Sequence, residues 1–195
     1  MGTEEVTGDE PAPLDLHARR ILIYGVTGSG KTTLAKRLSE RTGLPWQEAD
    51  QLTWEANWVQ VQDEEQRRRI QEICDRDQWI LDTAYGKWID VPLARVELII
   101  GLDYPRWVSL GRLLRRTVAR AVDKAPVCNG NVENWRLVFS RESIVMWHFR
   151  SFARKRSRIR KWASNSDGPR VIIIRAPSEL DALLSGEWPL EKKPR

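Results

Sequence analysis

The 195-residue sequence predicts an α/β protein, a three-layer α/β/α sandwich around a five-stranded parallel sheet. Three observations predict it. Short apolar runs alternate with segments of helical period, the pattern of a parallel sheet covered by helices. The first run leads through a glycine-rich loop directly into a helix, from Ile21 to Leu38. Strand candidates end on aspartates at Asp50, Asp82 and Asp103, and in open parallel sheets ligands gather at such carboxyl ends.

Residues 1–17, rich in Glu, Asp, Pro and Gly without period, read as a disordered tail, and one domain is expected over 18–186. Arg20 to Tyr24 forms the first strand, because Ile21-Leu22-Ile23-Tyr24 suits a buried position. Lys31 to Thr42 forms a helix with Leu34, Ala35 and Leu38 on one face, and Gly43 is placed to stop it. Leu44 to Ala49 is a weaker strand ending at Asp50, followed by an irregular stretch that carries Trp54 and Trp58. Gln62 to Asp77 is a charged helix with Ile70, Ile73 and Cys74 as its apolar stripe. Trp79 to Leu81 is a strand ending at Asp82, and 85–93 is a loop with a helical turn.

Val96 to Leu102 is the clearest buried strand; Pro105 then opens a helix that runs to about Val122. Residues 123–131, with Pro126 and Gly130, form a break, and 133–164 reads as one long helix or two. Val171 to Ile174 is the last strand, Ser178 to Leu184 the last helix, and 187–195 a loose tail.

Two cysteines, Cys74 and Cys128, are too few for a disulfide framework and lack metal-site spacing, which fits a reducing cytoplasm. No apolar run reaches membrane-spanning length, so no membrane partner is expected. The net charge of +5 is unevenly placed: Tyr104 to Ala163 holds fifteen Lys/Arg against three Asp/Glu. Such a segment attracts polyanions, either nucleotides or nucleic acid.

Gly25-Val26-Thr27-Gly28-Ser29-Gly30-Lys31-Thr32 fits the phosphate-loop pattern G-x-x-x-x-G-K-[ST] in its required strand–loop–helix setting. Glycines let successive backbone N–H groups turn inward onto phosphate oxygens, and the following helix adds its free N–H groups and positive end. The expected ligands are ATP and Mg²⁺. Gly25, Thr27, Gly28, Ser29, Gly30 and Thr33 would form the cradle, Lys31 would reach the β- and γ-phosphates, and the Thr32 hydroxyl would ligate the metal.

The N-K-x-D guanine motif of GTPases, the L-S-G-G-Q motif of transport ATPases and the Asp-Glu strand end of AAA-type motors are all missing. Trp79-Ile80-Leu81-Asp82 resembles the strand-Asp segment of nucleoside monophosphate kinases. Leu102-Asp103-Tyr104-Pro105, followed by Arg112, Arg115 and Arg116, resembles their strand-Asp-x-Pro segment and lid-entry helix. Together with Asp50-Gln51-Leu52-Thr53-Trp54 and Trp58, these segments make residues 21 to 152 similar to an adenylate-kinase-like family known in bacteria as DNA topology modulation proteins. Thr83-Ala84 stands where that family usually has Gly-Asn, a departure that bears on substrate contacts.

The resemblance implies a phosphate-loop fold of the nucleoside monophosphate kinase type with a helical lid within about 117–150. It implies ATP-dependent phosphoryl transfer to a nucleotide or a small hydroxylated acceptor. Asp82 would be a Mg²⁺-site residue, its alternative a turn or helix cap. Arg112 and Arg116, four apart on one helix face, would pack at the base and grip phosphates, while Arg115 is solvated. Asp50 could bind Mg²⁺, orient the acceptor, act as base, or serve only as a turn residue. Trp54 and Trp58 could shape the acceptor pocket, or be lid or core aromatics; Lys87 lies where related kinases place an acceptor-binding cation. Arg141, Arg150 and Arg154 could close from the lid, His148 reads as core, and Asp103 as the cap of the next helix. The basic run 154–161 offers the alternative function, an ATP-gated protein that binds DNA backbones.

Overall fold

A computed structural model describes residues 16–83, 85–123, 126–132 and 144–187. The acidic tail up to residue 15, Ala84, residues 124–125, residues 133–143 of the expected lid (Arg141 among them) and the end of the chain lie outside the described residues.

Five parallel strands form the sheet: β1 (Arg20–Gly25), β2 (Trp46–Glu48), β3 (Trp79–Thr83), β4 (Leu98–Leu102) and, last in the chain, β7 (Arg170–Ile174). Their order in space is β2-β3-β1-β4-β7. The central strands are buried on both faces, so β1, β3 and β4 read as continuous apolar runs instead of alternating ones. Ile21 and Ile23 point to one side, into a core shared with Leu34 and Leu38 of α1 (Lys31–Thr42) and Leu180 and Leu183 of α7 (Pro177–Ser185). Leu22 points to the other, against Ile70 and Ile73 of α3 (Asp63–Cys74) and Val91 of α4 (Asp90–Leu93). These two cores separate the three layers. Leu16, expected in the tail, is instead buried in the first core, and its carbonyl accepts from the Arg170 guanidinium.

β1 is flanked by β3 and β4, so its carboxyl end opens at the middle of the sheet. α5 (Arg106–Asp123) leaves β4 and passes over the loop after β1. α6 (Ile144–Ala163) returns across the same region. It packs on the sheet through Ile159, which meets Gly101 so closely that a Cβ there would stand 2.5 Å from it.

Three expectations change. The weak strand is shorter: β2 ends at Glu48, and Asp50 lies in the first turn of a short helix, α2 (Ala49–Thr53). Within the expected break at 123–131, β5 (Pro126–Val127) and β6 (Asn131–Val132) pair as an antiparallel hairpin. Asn129 and Gly130 take φ of 52° and 78° at its turn, as an Asn-Gly hairpin signal predicts. Asp103, expected as the cap of the next helix, has its buried carboxylate bound to Arg156 and Arg160 of α6. No helix among the described residues is long and apolar enough to cross a membrane.

Candidate active site

The loop between β1 and α1 turns at Gly28 and Gly30, with φ of 81° and 89°, a region that costs other residues a steric clash. α5 presses against the loop: a Cβ on Gly28 would collide with the Ser109 carbonyl and stand 2.8 Å from Leu113 Cβ. Ser29 is buried and closes the turn, its hydroxyl donating to the Val26 carbonyl at 2.8 Å. Lys31 Nζ donates to the same carbonyl at 3.2 Å. Arg112 Nη1 reaches the Ser29 carbonyl at 3.4 Å, and its guanidinium lies 5.3 Å from the Tyr104 ring centre. α6 adds a contact from the far side, His148 Nδ1 to the Thr27 carbonyl at 3.0 Å.

Thr32 Oγ1 meets two carboxylates, Asp82 Oδ2 at 2.5 Å and Glu48 Oε1 at 3.3 Å. Glu48 and Asp82 are register partners on neighbouring strands, so backbone pairing alone sets them side by side. Asp82 is 3 % exposed. Burial raises its pKa to about 6, against the lowering pull of Lys31 and the Thr32 hydroxyl. Burial also raises the pKa of Glu48, and Asp50 adds to it. A buried and a half-buried carboxylate beside a threonine hydroxyl are a hard-oxygen donor set of the kind Mg²⁺ takes. Glu48 was not anticipated from the sequence; the signal was its position at the end of a strand, in register with Asp82.

Asp50, exposed in the first turn of α2, follows Glu48 by two residues, and its charge adds to the raised pKa values of Glu48, Asp82 and Tyr85. Burial, and next to it the charge of Asp50, raises the pKa of the Tyr85 hydroxyl. That hydroxyl accepts from Trp54 Nε1 at 2.8 Å and lies 3.2 Å from Thr53 Oγ1. Trp54 and Trp58 meet edge to face at 5.9 Å between ring centres. The hairpin closes over them: Asn129 Nδ2 donates to the carbonyls of Gln51 (3.0 Å) and Trp54 (2.5 Å), and the Trp58 N–H donates to Asn131 Oδ1 at 2.7 Å. Asn57 and Trp58 have positive φ (62° and 56°), a conformation rare for a bulky residue that these bonds hold in place. Lys87 is not brought to the site. Its ammonium is taken by Asp63 at the start of α3. The Nε of Arg116 is buried.

The basic run on α6 divides between two surroundings. Arg156 and Arg160 bind Asp103, and Arg158 Nη1 bonds the Tyr24 hydroxyl at 3.0 Å. Lys155, 2 % exposed, forms no hydrogen bond with any described residue.

A family model described as an AAA domain matches residues 21–100, under half of the chain. That span runs from β1 through β3 into β4, although β3 ends Asp82-Thr83 and lacks the Asp-Glu of motor ATPases. No curated protein matches the chain by sequence. Among solved structures, a gluconokinase from Sinorhizobium meliloti 1021 is 16% identical, with 90% of this chain and 91% of that chain covered and a TM-score of 0.51. A shikimate kinase from Bacteroides thetaiotaomicron is 15% identical, with 86% and 94% covered and a TM-score of 0.51. The chain shares the α/β fold of these phosphate-loop kinases.

Proposed function

We propose that the protein is an ATP- and Mg²⁺-dependent phosphotransferase whose acceptor is a small hydroxylated molecule. The observation that carries this reading is the placement of Asp50. This carboxylate stands in the first turn of α2, two residues after Glu48, which meets the phosphate-loop threonine, and the same short helix ends on Thr53 and Trp54, which hold the Tyr85 hydroxyl. A hydroxyl acceptor must lose its proton as it attacks phosphorus, and a carboxylate can take it. A phosphate acceptor needs no base but does need cations, and the candidate cation Lys87 is held by Asp63. The folds shared with a gluconokinase and a shikimate kinase, both named for hydroxylated substrates, support the same choice.

The residues fit the ligands. Lys31 and Lys155 form no ion pair among the described residues and could accept anionic oxygens, and Thr32, Asp82 and Glu48 could hold Mg²⁺, directly or through water. When bound, ATP-Mg²⁺ supplies the γ-phosphoryl and a metal that spreads its charge. Lys31 exchanges its bond to the Val26 carbonyl for phosphate oxygens. Arg112, already on the loop, steadies the donor side. Asp50 accepts the proton of the acceptor hydroxyl. The hairpin and Trp58 cover the acceptor side and exclude water, which would otherwise hydrolyse ATP.

The DNA-binding alternative needs a free basic face at 154–161. Asp103 binds Arg156 and Arg160, Arg158 bonds the Tyr24 hydroxyl and Lys155 is buried, so four of the six basic side chains in the run are held by the protein or buried in it.

Release of ADP from ATP-Mg²⁺, followed against sugar acids, shikimate, nucleosides, nucleoside monophosphates and duplex DNA, tests the proposal. One hydroxylated acceptor is expected to raise turnover strongly, and Asp50→Asn to lower that rate by about 10²- to 10⁴-fold, the usual worth of a general base. Stimulation by nucleoside monophosphates alone, untouched by Asp50→Asn, would replace the hydroxyl acceptor with a phosphate one.

A further inference from the structure

We infer that Lys155 is a catalytic cation of this site, an ammonium that binds the γ-phosphoryl oxygens opposite Lys31. The inference rests on the phosphotransferase reading for the group it touches, and on four observations of its own.

Lys155 belongs to the buried face of α6, with His148, Ser151, Phe152 and Ile159. His148, two turns earlier on that face, bonds the Thr27 carbonyl, so this side of the helix looks onto the phosphate loop. A lysine buried to 2 % exposure normally has a counter-charge or several acceptors; Lys155 Nζ has no hydrogen-bond partner among the described residues. The ammonium lies over the Trp147 ring, 5.7 Å from its centre.

The charges around it give the direction. Among them Lys31 acts on Lys155 most strongly and Asp50 next, ahead of Arg154 and Arg158. Burial, aided by Lys31, lowers the pKa of Lys155 to about 7. The ammonium thus lies where the phosphate-loop lysine and the acceptor-side carboxylate are its foremost charged neighbours. Two lysines drawn from opposite sides of one site, neither of them ion-paired among the described residues, repel each other until an anion joins them. The γ-phosphoryl lies at that junction, since it alone must touch both the loop and the acceptor. Lys31 alone would bind ground-state phosphate; a second ammonium on the transferring group adds charge where the transition state spreads it.

The experiment needs no acceptor. Affinities for ATP-Mg²⁺ and ADP-Mg²⁺ are measured for the wild type, Lys155→Met and Lys155→Arg, with melting temperatures without nucleotide. Lys155→Met is expected to weaken ATP about tenfold or more, the worth of a hydrogen bond to a charged group, with ADP changed less than about twofold. Lys155→Arg should keep most of the preference for ATP. Without nucleotide, Lys155→Met should melt above the wild type, because a buried unpaired charge is gone. An equal loss for ATP and ADP, an unchanged ratio, or a lower melting temperature in Lys155→Met would each overturn the assignment. The failures separate: ATP selectivity through Lys155 without transfer to any acceptor removes the phosphotransferase reading alone. Transfer that persists in Lys155→Met with an unchanged ratio removes this one alone. A wild type that binds neither nucleotide removes both.

Discussion

The phosphate loop and the inner face of α6 border the same space from opposite sides and satisfy their polar groups in opposite ways. On the loop, Ser29, Lys31 and Thr32 all have protein partners. On α6, His148 Nε2, Ser151 Oγ and Lys155 Nζ are buried without a hydrogen-bond partner among the described residues. The loop is complete as a piece of structure and only changes partners when a ligand arrives. α6 carries polar groups that the fold alone leaves unmatched, at a cost of about 1–3 kcal/mol for each buried unsatisfied group. A surface that costs stability and is retained at a site is best explained by what binds there.

Between the loop and α6, the larger expected effect falls on the loop. Lys31→Ala should lower phosphoryl transfer by about 100- to 1,000-fold, as removal of a transition-state charge contact does, with little change in melting temperature. Turnover that survives this change would remove the loop from the chemistry.

Gly28→Ala tests the loop as structure. The left-handed φ alone costs an alanine about 1–3 kcal/mol, and the new Cβ must also displace α5 at Ser109 and Leu113. A lower melting temperature together with weakened ATP binding is expected; an unaltered protein would contradict the tight loop–α5 contact.

The contrast extends to pH. Because the folded-state pKa of Lys155 is lowered to about 7, the folded protein has lost its proton between about pH 7 and the unfolded value of about 10.5 while the unfolded chain keeps it. The unfolded state then binds more protons, so stability should rise with pH across that window. Cys74, its pKa raised by burial to about 12, acts in the opposite sense above its ordinary value of 9.0. The difference between wild type and Lys155→Met, followed by denaturant unfolding without nucleotide, isolates the lysine. Parallel pH profiles for the two proteins would mean that the charge is not buried as described.

The smallest effect separates the two halves of the basic run. Asp103→Ala takes away a buried acceptor of two guanidinium groups and should cost about 2 kcal/mol. Arg160→Ala, at an arginine 59% exposed, should cost under about 1 kcal/mol. Equal losses would show that Arg160 and not Asp103 fixes α6.

The same two regions show what a sequence can disclose. The phosphate loop is contiguous: glycines, lysine and threonine stand at fixed spacing between a strand and a helix, so motif and context read together. The sheet was legible for a similar reason, since buried parallel strands are apolar throughout. Glu48 was hidden because its meaning comes from strand pairing with Asp82, thirty-four residues on. Asp103 looked like a local cap because it precedes a proline and a helix, whereas its partners lie 53 and 57 residues away. Lys155 disappeared into a run of charges that reads as a solvated face. The spacing of His148, Ser151, Phe152, Lys155 and Ile159 was a helical stripe all along, but a stripe holding a lysine does not announce itself as buried. Asn129-Gly130 was a hairpin signal inside a segment that read as a break.

The central claim is that the γ-phosphoryl group passes to an acceptor hydroxyl held beside Asp50. Transfer of label from γ-labelled ATP-Mg²⁺ to hydroxylated acceptors tests it most directly. The account predicts label in a phosphate ester of one such acceptor, lost in Lys31→Ala and strongly reduced in Asp50→Asn. Label found only as inorganic phosphate with every acceptor, at a rate that neither substitution alters, would contradict it.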